Sequence, residues 1–159
     1  RKRPTTGIGY RPTMDDADMR AKLDALIARM ADAEPFYANV GEHLITISIP
    51  SRFENEEAPD GSKWQGLSDV TKMRDETSEY SRSGILWVSG ALKQSFNRQA
   101  DSTSVRVGSD LPYAAIQHFG GESKGYMKDA VIPARPILGL SSDDETEIFA
   151  IAEDWLAVE

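Results

Sequence analysis

At 159 residues the chain has the length of one domain that buries roughly two thirds of its unfolded surface. It contains no cysteine, which excludes a disulfide framework, a thiolate metal site and a cysteine nucleophile. Its net charge of −8 is uneven: Arg1, Lys2, Arg3 and Arg11 put +4 on the first thirteen residues and leave −12 on the rest, an acidic body that repels phosphate and argues against sequence-reading nucleic-acid binding outside that arm.

The arm itself, "RKRPTTGIGYRPT", has prolines, glycines and no periodic apolar face, so it is expected to order only on a partner. Met14 reads as a candidate natural start, residues 1–13 as either an upstream extension or a non-native remnant, and residues 14–159 as a single domain. The longest apolar runs, such as "HLITISI", fall far short of the roughly 18 residues of a membrane span, and no charged-then-apolar signal segment opens the chain. The expectation is a chain with no membrane association, made in the cytoplasm of its host.

From Asp15 to Ala33, Met19, Leu23, Leu26, Ile27 and Met30 recur at three- and four-residue steps behind Asp15, Asp16 and Asp18, which predicts an amphipathic helix whose stripe is a packing face. The next segment is ambiguous. Phe36, Val40, Leu44 and Ile47 fit a helix, whereas Ile45, Ile47 and Ile49 alternate as in a strand. A helix from Pro35 to near Phe53 is favoured, with the proline in its first turn. "APDGSKWQGLS" predicts a Pro-Asp-Gly turn followed by a loop anchored through Trp64 and Leu67. Asp69 to Ser83 is charged and weakly periodic, a long surface excursion or a frayed helix.

Ile85 to Ser89 reads as a strand, and "ALKQSFNRQ" as a short helix or bent strand. "STSVRVGSD" alternates Val105 and Val107 with polar residues, a strand ended by a glycine turn. "YAAIQHFGG" is a second strand or short helix ended by Gly120 and Gly121, and a polar tip from Glu122 to Asp129 returns the chain to "AVIPARPILGL". Asp143, Asp144 and Glu145 open a closing helix with Ile148, Ile151, Ala152 and Trp155 on one face. The fold class expected is α+β: an N-terminal helical hairpin, a small antiparallel sheet and a C-terminal helix.

Chemistry is sparse along this chain. His118 has the side chain of a general base, but no Gly-x-Ser-x-Gly elbow or His-Glu-x-x-His motif occurs, so a histidine at a strand end, bonded to backbone, is the favoured reading. The rival is a small hydrolase using His118 with Ser109 or Asp110, which requires those side chains within hydrogen-bond reach. A third reading is a DNA-binding accessory protein acting through the basic arm. "SSDDETE" lacks the central glycine of a calcium loop and reads as a helix cap; "GESKG" is too short for a phosphate loop. No cofactor or metal is expected. In "IPARP", Pro133 and Pro136 bracket Arg135 in extended backbone, holding it either as a satisfied structural arginine or as an interface anchor for a carboxylate.

The ordered set "PDGSKWQGLS", "ILWVSGALKQSF", "VRVGSDLPYAAIQHFGG", "IPARPILGLS" and an acidic-start closing helix resembles the phage virion morphogenesis family, which includes tail completion proteins of P2-like phages and the G-type proteins of Mu-like phages. The second half is also similar to small head-tail connector proteins, with His118, Gly121 and Ile137 where those often have an acid, a threonine and a phenylalanine. The resemblance implies a structural, non-enzymatic protein of the virion neck or tail end that completes the tail and joins it to the DNA-filled head. It implies a ring-forming connector-like subunit, hexameric or of another order, touching a head-side connector and the tail terminator or tube proteins and passing DNA without sequence-specific binding. On this reading Trp64, Tyr113, His118, Phe119, Gly120, Gly121, Pro133, Arg135 and Pro136 form the structural or interface motif. Tyr113 and Phe119 would pack the sheet against the helices, Gly120 and Gly121 make the turn, and Arg135 ties the turn or a neighbouring subunit.

Overall fold

The computed structural model describes residues 16–78, 82–122 and 130–157. The basic arm and Met14 lie outside the described residues, as do residues 79–81 of the long excursion and residues 123–129 of the polar tip.

Helix α1 spans Asp16–Ala31, with Asp16 and Asp18 in its first turn and Arg29 in its last, charges that oppose the helix dipole at each end. Its span matches the periodicity, but its apolar stripe does not behave as a packing face within this chain: none of its residues is buried. Helix α2, Glu34–His43, begins with Pro35 in its first turn and runs on through a wide π-helical turn, Leu44–Ser48, into α3, Ile49–Asn55, which has Pro50 in its own first turn. The wide turn has a local cause. Pro50 has no N–H to offer the carbonyl four residues back and its ring crowds that position. The helix adapts by bonding Ile49 N–H to the Leu44 carbonyl, five residues back, while Thr46 Oγ1 donates to the Glu42 carbonyl at 2.7 Å. The β-branched run that suggested a strand is thus accommodated by helical backbone.

After α3 the chain turns at Glu56, a non-glycine residue at φ 54°, and closes the predicted turn with Gly61 N–H donating to the Ala58 carbonyl at 2.9 Å. Trp64 follows, buried as expected. Helix α4, Asp69–Glu76, is capped by the Ser68 hydroxyl, so the charged excursion is partly ordered helix. Ile85 to Ser89 is not a strand. Trp87 N–H donates back to the Gly84 carbonyl at 3.1 Å, and Ile85 N–H is taken by the Glu56 carboxylate at 2.7 Å, so the donors that a ladder needs are spent on a tight turn.

A one-turn helix α5, Ala91–Gln94, leads into β1, Phe96–Ala100, paired antiparallel with β2, Val105–Ser109, from Phe96 opposite Ser109 to Ala100 opposite Val105. Helix α2 lies on this ribbon, and Gly41 allows the approach: a Cβ there would come within 2.8 Å of a Val105 methyl. "YAAIQHF" takes the helical alternative as α6, Ala114–Phe119. Strands β3, Gly121–Glu122, and β4, Val131–Ile132, form a second antiparallel ribbon, so the expected single sheet is two separate two-stranded ones. Helix α7, Ser142–Leu156, closes the described chain behind a full capping box in which Ser141 Oγ accepts from Asp144 N–H and the Asp144 carboxylate accepts from Ser141 N–H.

The core is Ile49, Phe53, Ala58, Trp64, Leu92 and Ile137, with Phe96, Val107, Leu111 and Ala114 packed around it. The Phe53 and Trp64 rings meet edge to face at 5.7 Å. Each large side chain buried here is worth about 1.5–3 kcal/mol relative to exposure. The α+β class holds, and these buried residues anchor "IPARPILGL" across the body.

Candidate functional site

Two connected constellations converge on that segment. The first is built by α6, its glycine turn and the Pro133–Pro136 stretch. Gly120 N–H donates to the Ile116 carbonyl and ends α6 at φ 72°; a Cβ at Gly120 would lie 2.6 Å from the Ala134 nitrogen, so both the backbone angle and the space demand glycine. Gly121, at φ 149°, pairs with Ile132. His118 Nδ1 accepts from the Ile137 N–H at 3.0 Å and the Leu138 N–H at 3.3 Å. A ring nitrogen that accepts two amide hydrogens carries no proton, so the neutral imidazole holds its hydrogen on Nε2. Burial pushes the His118 pKa below its ordinary value, in the same direction.

Arg135 lies beside this bond. Its N–H donates to the Gln117 carbonyl at 2.9 Å, its Nε to the Gln65 carbonyl at 3.1 Å, and its guanidinium reaches the Gly66 carbonyl at 3.4 Å. Trp64 Nε1 donates to the Pro136 carbonyl at 3.0 Å. The extended backbone that the two prolines impose therefore holds Arg135 against the Trp64–Leu67 loop, through carbonyls and not through a carboxylate. Burial lowers its pKa, and neighbouring Arg82 adds to that while Glu56 opposes it; a guanidinium stays charged regardless.

Tyr113 and Phe119 do not pack the sheet against the helices. Phe119 is 76% exposed and Tyr113 is 44% exposed. A strand would put both on one face, two-residue steps apart; the helix instead directs Ala114, Gln117 and His118 inward and leaves Phe119 on the outer side.

The second constellation was not singled out from the sequence. Arg52, buried in α3, donates to the Ile137 and Gly139 carbonyls and pairs with Asp144 at 2.6 Å. Asp144 also accepts from Ser48 Oγ and lies 3.2 Å from His43 Nε2. Burial raises the Asp144 pKa, but the Ser48 and Ser141 hydrogen bonds and the Arg52 charge together hold it below the ordinary carboxylate value. A signal did exist: Arg52 falls on the same helical face as Ser48, Ile49 and Phe53, and a charge on a buried face requires a counter-ion.

Neither constellation is a nucleophile assembly. Ser48 and His43 both bond to the same carboxylate oxygen instead of to each other, and Ser109 Oγ pairs with Ser95 Oγ at 2.6 Å while His118 Nδ1 is occupied by backbone. The described residues hold no group of three or more side chains placed to bind a metal ion. What the arrangement does is fix one rigid spine, "PARPILG", onto helix, loop and turn.

The model of the phage virion morphogenesis family matches residues 14–157. The chain belongs to that family. Within residues aligned to individual relatives, it is 32% identical over 103 residues to the G protein of Escherichia phage Mu, whose name ascribes it to capsid assembly; the match covers 64% of this chain and 66% of that protein. It is 38% identical over 64 residues to the Mu-like prophage FluMu G protein 2 of Haemophilus influenzae, covering 40% and 46% of the two chains. No solved structure matches. Membership of a virion morphogenesis family places the protein among phage assembly and structural components, and no helix of the described residues is long and apolar enough to cross a membrane.

Proposed function

We propose that this protein is a structural subunit of the virion neck or tail end, which completes the tail and joins it to the DNA-filled head as a ring of copies. The match to the virion morphogenesis family across residues 14–157 carries the reading. The site supports it: polar groups are spent on stiffening a spine, and Phe119, Val131 and Tyr113 are left outward as contact residues for neighbouring proteins. His118 and Arg135 act here as structural ties. The neighbours this reading requires are a head-side connector and a tail terminator or tube protein.

An early stop codon in the gene, with and without complementation, tests this by electron microscopy of lysates. Filled heads accumulating apart from finished tails, rescued by the wild-type gene, are expected. A second reading is favoured by the capsid assembly name of the phage Mu relative. On that reading the same lysates would show missing or malformed heads. Joined, infectious particles without the protein would overturn both.

A further inference from the structure

Among the described residues, two exposed apolar surfaces have opposite shapes. The convex one is α1. Met19, Leu23, Ile27 and Met30 are 41%, 51%, 65% and 67% exposed, although they repeat along one face of the helix. A helix of this length gains little stability in water unless such a stripe is covered. It is tied to the body at its C-terminal end, where Arg29 donates to the Trp155 and Ala157 carbonyls.

The concave surface is a groove of about 860 Å³ between α4, the turn at 85–90, α6 and β4. Val70, Val88, Tyr113 and Val131 line it and are exposed. Its wall carries excess positive charge. Arg82 is paired with Asp75 at 2.7 Å, but Arg74 makes no ion pair among the described residues, and buried Arg135 is held by carbonyls with only Glu56 as a nearby opposing charge. Gln117 Oε1, on the same wall, is shut off from solvent with no donor among the described residues.

We propose that α1 of one copy seats its stripe in this groove of a second copy. One surface is convex and the other concave, so neither is complementary to itself, which is the condition for a head-to-tail contact that closes into a ring or extends as a filament. The charges agree. Asp16 and Asp24 sit on one flank of the stripe, eight residues apart with Arg20 between them on the same row, a flank of net negative charge that makes no ion pair among the described residues, whereas Asp18 on the other flank is engaged by Lys22. Seating that flank toward Arg74 supplies the carboxylates which the groove lacks. This inference rests on the ring-subunit part of the proposed function and names the surfaces that would build it.

Because the chain has no native cysteine, disulfide trapping in the full chain tests the contact cleanly. Ile27→Cys and Val88→Cys are placed singly and together on exposed positions. Under mild oxidation the double variant is expected to give a ladder of linked dimers, trimers and a largest closed species, and a mixture of the two single variants to give dimers only. Dimers from Ile27→Cys alone would mean that α1 pairs with α1, and a linked monomer without a ladder that α1 folds into its own groove; either overturns the proposal. In sedimentation velocity, Asp24→Arg should weaken self-association by roughly tenfold, the change made by one lost charge pair that is partly buried, and Arg74→Glu in the same chain should restore it. Unchanged sedimentation of Asp24→Arg, or a wild-type chain that neither self-associates nor cross-links, overturns it. A ladder in a protein whose loss leaves virions joined would sink the neck reading and leave the contact standing.

Discussion

Gly120 shows how much one residue without a side chain determines here. It sits at φ 72° where α6 ends, and the position a Cβ would occupy is 2.6 Å from the Ala134 nitrogen and 2.8 Å from the Ile132 carbonyl oxygen, both backbone atoms that cannot swing aside. Moving them would pull on β4 and on the His118 bonds to Ile137 and Leu138. Gly120→Ala is therefore expected to cost about 2–4 kcal/mol in urea unfolding. Gly61→Ala is the control: it has a similar angle, φ 81°, but open space around it, and should cost about 1 kcal/mol. Equal, small losses at both positions would show that the α6 turn relaxes freely and does not hold the spine.

At the scale of elements, α7 and α3 are joined by charge, through Arg52 and Asp144. Removing one partner of a buried pair such as Arg52 and Asp144 leaves a charge stranded, which typically costs about 3–5 kcal/mol. Asp144 on α7 and His118 on α6 set the pH response. The folded pKa of His118 is lowered, so the unfolded chain binds the extra proton; the stability it contributes is complete above the ordinary value of 6.5 and is lost as the pH falls below it. The folded pKa of Asp144 is also lowered, so its contribution is present above the ordinary 3.8 and is lost as the pH falls through the folded value. Urea midpoints measured from pH 8 to pH 3 should fall in a first step below pH 6.5 that His118→Gln abolishes, and in a further step below pH 4 that it leaves in place. A first step that persists in His118→Gln would assign it to another group.

The elements differ in how legible they were in sequence. Helices α1 and α7 carried their own period and their own terminal acids, and the Pro-Asp-Gly turn and Trp64 anchor were local signals, so all four could be read directly. Ile85 to Ser89 could not, because its donor is captured by Glu56, twenty-nine residues earlier in the chain, and β-branched composition says nothing about such a partner. The same holds at the site. Gly120, Arg135 and the backbone-bonded His118 stood out as local motifs, whereas Arg52 and Asp144 meet across ninety-two residues and only the fold brings them together.

For the whole molecule, the charge distribution bears on what the proposed neck role would require of it toward DNA. Residues 14–159 carry −12, so phosphates approaching the body meet net repulsion, whereas the first thirteen residues, with four cations and no acid, offer attraction. A ring built from such bodies would present DNA with a wall to which it does not stick, and passage would need no sequence reading. Binding of duplex DNA by the full chain is therefore expected to be weak at physiological salt and to come from the arm. If all four cations engage phosphates, the slope of log affinity against log salt can be no steeper than about −3.6, and substituting Arg1, Lys2, Arg3 and Arg11 by glutamine should abolish binding. A steeper slope, or binding that survives the fourfold substitution, would place basic contacts on the body itself. The acidic-wall argument would then fail, and the protein would have to be treated as one that grips DNA instead of letting it slide.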